Sequence, residues 1–312
     1  MAKGKKKFPT TEATTLAEKG LQAATMAKLK ADAQFEVMLA KVSKQELAKA
    51  ASKAKSAKSK LNILAEGDSW FRYGCGIGVI TQLQSKMRTK ANITNLGTGG
   101  HTMKKMLTLP ERAEFVQALR KGVDGKGKPW DAVLFSGGGN DFCGKMFHTW
   151  LLPFTGQTSP AAAIDLTTWK PKLQEMADLF DYLGKLVAQL VPGAKVHLNL
   201  YDFAIPNNKG AGPAGPWLAP GFKKRGYPAD LAFRTAVVKL LLQEFAAMVA
   251  GVATTNPNLN LIPTQDTLTA KEWDNALHPD NPGFGKIADR WPQQRVRQRR
   301  VPTLIRLLGG HR

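Results

Sequence analysis

The chain has 312 residues, 43% of them hydrophobic and 22% charged, the balance of a globular protein with a sizeable core rather than of a disordered or collagen-like chain. Two cysteines are too few to form the disulfide framework of a small secreted domain. The net charge of +21 is concentrated at the ends: 14 lysines against 5 acidic residues through Lys60 leave +9, 7 arginines and no acid from Arg290 to Arg312 give +7, and the body between keeps +5.

The opening MAKGKKKF is charged, but no apolar run of about 7–15 residues follows it, so a secretory signal is not expected and a reducing cytoplasm is. From Leu21 to Glu66 there is no glycine or proline, and Phe35, Met38, Leu39 and Val42 fall on one helical face, which predicts a long helix. Its continuation, KAASKAKSAKSK, has little to bury and reads as an exposed helix or frayed linker. The expected organisation is therefore a basic N-terminal helical extension over 1–60, a body over 61–289 and a basic tail over 290–312. Arms of this charge either solubilise the chain or attract phosphate on nucleic acid or an anionic membrane.

Within the body, short β-rich runs alternate with segments of helical period. LNILAEGD, ANITNLG, DAVLFSGGGND, KVHLNLYDF and LNLIPTQD predict five strands. Helices are predicted around Ile80–Met87, Met103–Leu119, Trp169–Leu190 and Asp230–Ala253, the last with Asp230 as its N-cap. This alternation predicts an α/β fold, a three-layer α/β/α sandwich around a five-stranded parallel sheet of flavodoxin-like kind. The most apolar stretch, Leu231–Val252, is interrupted by Arg234, Lys239, Gln243 and Glu244 and reads as a core helix rather than a membrane span. Between Ala204 and Pro228 lies a long segment rich in glycine, proline and asparagine; Trp217 and Phe222 within it suggest a loop that covers a substrate.

Sites in open parallel sheets lie at the carboxyl ends of the strands, where GDSW, GTGGHT and GGND fall. A serine hydroxyl is a weak nucleophile at neutral pH, so it needs a base beside it and donors for the oxyanion that forms. Ser69 follows Gly67 and Asp68 at the end of the first strand, where a tight turn can present its hydroxyl. With LAEGDSW around Ser69, NLGTGGHT around Gly100, FSGGGND around Asn140 and WDNALHP around His278, all in this order, the chain resembles the SGNH, or GDSL-type, hydrolase family. The resemblance implies Ser69 as nucleophile, His278 as general base, and an oxyanion hole made by the N–H groups of Ser69 and Gly100 and the amide of Asn140.

The residue that orients His278 is open. The family places an aspartate three residues before the histidine, and here that position is Asn275, with Asp274 one residue earlier. On a helical turn either would share the face of His278. Asp274 is preferred because a carboxylate stabilises an imidazolium; Asp266, at the end of the fifth strand, and a Ser–His dyad are the other candidates. His101 stands where the family often has aspartate and is assigned no role. Cys75 and Cys143 follow Ser69 and Asn140 closely enough to pair or to sit as two buried thiols.

No cofactor or metal is expected: there is no GxxxxGK phosphate loop, no GxSxG elbow and no zinc-ligand spacing. The expected activity is hydrolysis of a carboxylic ester or thioester through an acyl-enzyme on Ser69. The substrate would be a small-molecule, lipid or carbohydrate ester, its acyl group held by Trp70, Trp217 and Phe222. Two rivals stand beside it: an acyltransferase, which would use the same residues, and a binding protein that holds nucleic acid or an anionic membrane through its basic ends, with the hydrolase body degenerate.

Overall fold

The computed structural model describes residues 60–298, apart from 75, 124 and 126, with side chains as far as Trp291. The expected extension through 59 and the end of the basic tail, from 299, lie outside these residues. The body is a five-stranded sheet in the order β2-β1-β3-β4-β5, with every neighbouring pair parallel. Its strands are β1 (Leu61–Gly67), β2 (Ala91–Asn95), β3 (Ala132–Ser136), β4 (Lys195–Asn199) and β5 (Leu259–Ile262), which are the five that the sequence predicts.

The central strands are covered on both faces, so all five residues of β3 and six of the seven in β1 are buried. This is why they read as apolar runs rather than as alternating ones. One layer of helices comprises α1 (Val79–Lys86) and α8 (Asn281–Gln298), which pack on each other. The other comprises α3 (Glu111–Lys121), α5 (Leu166–Leu190) and α7 (Leu231–Thr255), with α5 between its two neighbours. The chain order reverses between β1 and β3, and the crevice outside their carboxyl ends is where such sheets bind ligands.

Three helical expectations are corrected. The helix predicted over Met103–Leu119 is two, because Pro110 has no N–H for a continuous ladder: α2 (Met103–Met106), capped by Thr102, and α3. The boundary expected at 290 falls inside α8, because Phe284, Ile287, Ala288 and Trp291 are buried at helical spacing and carry the helix across it. The long loop after β4 contains a short helix, α6 (Ala219–Lys224). By length and composition α7 could cross a membrane. In this fold it packs on α5 and β5, burying Val237, Val238, Leu241, Leu242, Phe245 and Val249, and Asp230 caps it by accepting from the Phe233 N–H.

Candidate active site

Each edge of the site is set by a strand end. At the end of β1, a side chain on Gly67 would meet the Ser136 carbonyl at 2.8 Å and the Phe71 ring at 2.9 Å, so only glycine lets β1 pass β3 this closely. The turn that follows is tied from below by Asp68. Its buried carboxylate accepts from the Trp70 N–H (3.0 Å), the Ser136 hydroxyl (2.9 Å) and the Tyr201 hydroxyl (2.6 Å). Burial still outweighs these three donors and pushes the Asp68 carboxyl up to about 6. With Asp68 fixed at the sheet edge, Ser69 follows it into the pocket that both residues line.

The loops after β2 and β3 are stapled together. On the one-turn helix α4 (Gly139–Phe142) that follows β3, the Asn140 amide donates to the His101 carbonyl (3.0 Å), and the buried Asp141 carboxylate accepts from the Met103 N–H (2.8 Å) while Lys172 lies 3.4 Å from it. An amide has two N–H groups, so the second of Asn140 is the one that a ligand can use. Gly100 is exposed with φ +81, and a side chain on Gly99 would lie 3.8 Å from Ser69 Cβ. The β2 loop therefore runs beside the serine.

His278 arrives on a loop after β5. That loop is not the helical turn considered above: Trp273 and Pro279 form an antiparallel bridge, and the N–H groups of Asp274 and Asn275 both donate to the His278 carbonyl. Inside the turn the Asn275 side-chain oxygen accepts from the N–H groups of Leu277 and His278, each at 3.0 Å. The same oxygen lies 3.0 Å from His278 Nδ1, and His278 Nε2 lies 2.8 Å from Ser69 Oγ.

The preference for Asp274 as the imidazole's partner is thereby corrected. Because the turn is an Asn-centred one rather than a helix, Asn275 faces the ring. Asp274 points away and accepts from the Tyr73 hydroxyl (2.9 Å) and the Asn275 amide (3.1 Å). Asp266 lies elsewhere, with its carboxylate 3.5 Å from Lys239. Burial lowers the His278 pKa to about 4 against the opposing pull of Asp274, so the imidazole is neutral at pH 7.

The pocket at these groups is a cleft of about 360 Å³ that is partly open to solvent. Ser69, Asn140 and His278 line it together with Asp68 and Asp202, and Trp70, Phe142 and Leu242 add apolar surface. Trp70 also holds the histidine loop, since its indole N–H donates to the Leu277 carbonyl (3.0 Å). Trp217 stands edge-on to the imidazole, with ring centres 5.4 Å apart.

Phe222 does not reach the pocket. It is fully buried under Phe147 and Tyr227, at 5.3 and 5.6 Å, because α6 uses it to pack against the 3-10 segment Gly144–Trp150. Tyr201, in the pocket wall, and Tyr73, stacked on the imidazole at 4.0 Å, had no spacing signal in the sequence. Tyr201 did lie at a strand's carboxyl end. Cys143 is a buried free thiol pushed up to about 12 by burial, while Cys75 is outside the described residues. Among the described residues no group of three or more histidine, cysteine, aspartate or glutamate side chains is placed to hold a metal.

No family model and no curated protein matches the chain. Similar solved structures include a putative GDSL-like lipase from Parabacteroides merdae, 17% identical, with 76% of this chain and 96% of that one covered and a TM-score of 0.45. An extracellular lipase from Streptomyces rimosus is 15% identical over 75% of this chain and 99% of its own, with a TM-score of 0.48. A carbohydrate acetylesterase from Sinorhizobium meliloti is 13% identical over 77% and 100%, with a TM-score of 0.46. One architecture serves many chemistries, so the activity has to be argued from the site.

Proposed function

We propose that the chain is a serine hydrolase that cleaves carboxylic esters or thioesters through an acyl-enzyme on Ser69. The observation that carries this reading is the 2.8 Å contact between Ser69 Oγ and His278 Nε2, with a neutral imidazole whose other nitrogen is held by Asn275. A base within hydrogen-bond reach of the hydroxyl and a third group behind the base are what nucleophilic catalysis by serine requires.

In this mechanism His278 removes the hydroxyl proton as Oγ attacks the acyl carbonyl. The negative charge that develops on the carbonyl oxygen is met by the free N–H of the Asn140 amide and by the N–H groups of Ser69 and Gly100. His278 then returns its proton to the leaving alcohol or thiol, the acyl group stays on Oγ, and water attacks by the reverse sequence to release the acid. The apolar wall of Trp70, Phe142 and Leu242 suits the acyl group. Trp217 stands edge-on to the imidazole and packs against the base.

The purified protein is expected to hydrolyse p-nitrophenyl esters, with a rate that varies with acyl chain length, and Ser69→Ala is expected to reduce turnover to background. Wild-type turnover in Ser69→Ala would reject the assignment.

A further inference from the structure

An asparagine beside a catalytic histidine sets two problems. Its amide can face the ring with either end, and only one end leaves the histidine a base. If Nδ2 faced Nδ1, that nitrogen would have to accept, Nε2 would carry the proton, and nothing could take the Ser69 hydrogen. The amide is also neutral, so it does little to stabilise the imidazolium that forms in the transition state.

Both problems have an answer in the groups around Asn275. Its oxygen is turned to His278 by the N–H groups of Leu277 and His278. Its nitrogen is drawn the other way by the Tyr73 hydroxyl at 2.8 Å and the Asp274 carboxylate at 3.1 Å. A carboxylate only accepts, so the Tyr73 hydroxyl donates to Asp274 (2.9 Å) and offers its lone pair to the Asn275 N–H. Every proton in the chain is then placed: Nδ1 of His278 is the N–H, and Nε2 is bare toward Ser69.

The Tyr73 ring also lies flat on the imidazole, 4.0 Å between centres and 14° from parallel. A π face against the ring blocks its rotation and attracts it once it becomes a cation. Against the imidazole lie Asn275 from its own loop, Ser69 and Tyr73 from the segment after β1, and Trp217 from the segment before α6; Asp274 stands behind Asn275 and acts on the ring only through its charge, and Asp68 and Asp202 are the other carboxylates lining the same pocket.

We infer that Tyr73 is a positioning residue that, with Asp274, gives the Ser69–His278–Asn275 array the orientation and the negative charge that a neutral amide lacks. Asp274 acts at one remove, through the Asn275 amide and the Tyr73 hydroxyl. The inference rests on the serine-hydrolase reading above, which Ser69→Ala tests independently.

The test uses the full chain and a p-nitrophenyl ester, with kcat and KM followed against pH for the wild type, Tyr73→Phe, Tyr73→Leu, Asp274→Asn and Asn275→Asp. Tyr73→Phe keeps the ring and is expected to lower kcat about 10-fold with little change in KM, and Tyr73→Leu is expected to lower it further. Activity requires the neutral imidazole, so it rises with pH through the His278 pKa. Loss of Asp274 or of the Tyr73 π face destabilises the imidazolium and should move this acid limb to lower pH; Asn275→Asp should move it to higher pH. Placed in the Asn275→Asp background, Tyr73→Phe should cost much less than it does alone, because a carboxylate then faces the ring directly.

Asp274 is exposed and Tyr73 only half-buried, and thermal unfolding checks that each variant is folded. If the folded Tyr73→Phe, Tyr73→Leu and Asp274→Asn proteins keep both wild-type kcat and the wild-type acid limb while Ser69→Ala is dead, the role given to Tyr73 and Asp274 is wrong. Undiminished activity in Ser69→Ala would instead remove the reading beneath it.

Discussion

On the proposed mechanism Asn140 has two roles in one side chain, and they can be separated. One amide N–H donates to the His101 carbonyl at 3.0 Å and ties the β2 loop, while the other would meet the developing oxyanion. An oxyanion donor acts mainly in the transition state, and loss of one costs about 10²–10³ in rate. Asn140→Ala is therefore expected to lower kcat by that factor with little change in KM, and Asn140→Asp should be at least as damaging because it puts negative charge where the oxyanion forms. A rise in KM at constant kcat, read from initial rates over an ester concentration series, would show that Asn140 only binds the ground state. Asp141, next to it, shares only the first of these roles: its buried carboxylate accepts from Met103 N–H and lies near Lys172, so it too ties the β2 loop to the end of β3.

Among the elements, short polar links decide where the strand-end loops point. Asp202, just past β4, accepts from the N–H groups of Asp266, Thr267 and Leu268 at 2.6–2.9 Å, which anchors the root of the loop that brings in His278. The Thr269–Glu272 capping box continues that anchoring. The long core helix α7 is started by Asp230, which accepts from Phe233 N–H at 3.0 Å. Asp230→Ala is expected to cost about 1 kcal/mol and to lower Tm by about 2–4 °C, with ester hydrolysis unchanged because the cap lies on the helix and not at the pocket. Calorimetry on the variant checks it, and a wild-type Tm would mean that packing of α7 on α5 and β5 alone sets its start.

For the whole molecule, charge and catalysis are separable in the sequence. The strongly basic segments are residues 1–60 and 290–312, at +9 and +7, against +5 for the body that holds the site. We propose that these ends bring the chain to an anionic polymer or lipid surface, an interaction driven by counterion release and therefore steeply weakened by salt. The full chain should bind double-stranded DNA or anionic vesicles at about 50 mM salt and lose about 10³-fold or more in affinity by about 200 mM. Hydrolysis of a soluble, uncharged ester should hardly change over the same range. Binding that is weak at both salt concentrations would leave the ends a solubilising role only.

The sequence by itself determined the sheet, because strands buried on both faces must be apolar along their length and so announce themselves as LNILAEG or AVLFS. It also pointed to the strand-end turns that carry Ser69 and Asn140, since glycines there are forced by close backbone passage, as at Gly67, while His278, in a segment without glycine, was singled out only through the family resemblance. What it left open was every contact made across the fold. Whether Asn275 or Asp274 meets the imidazole depended on a turn closed by the asparagine's own side chain. That Phe222 is core and Tyr73 touches the histidine depended on segments far apart in the chain. Backbone period and turn chemistry are local and can be read from neighbours, whereas the direction of a side chain is set by what packs against it, and that exists only once the chain has folded.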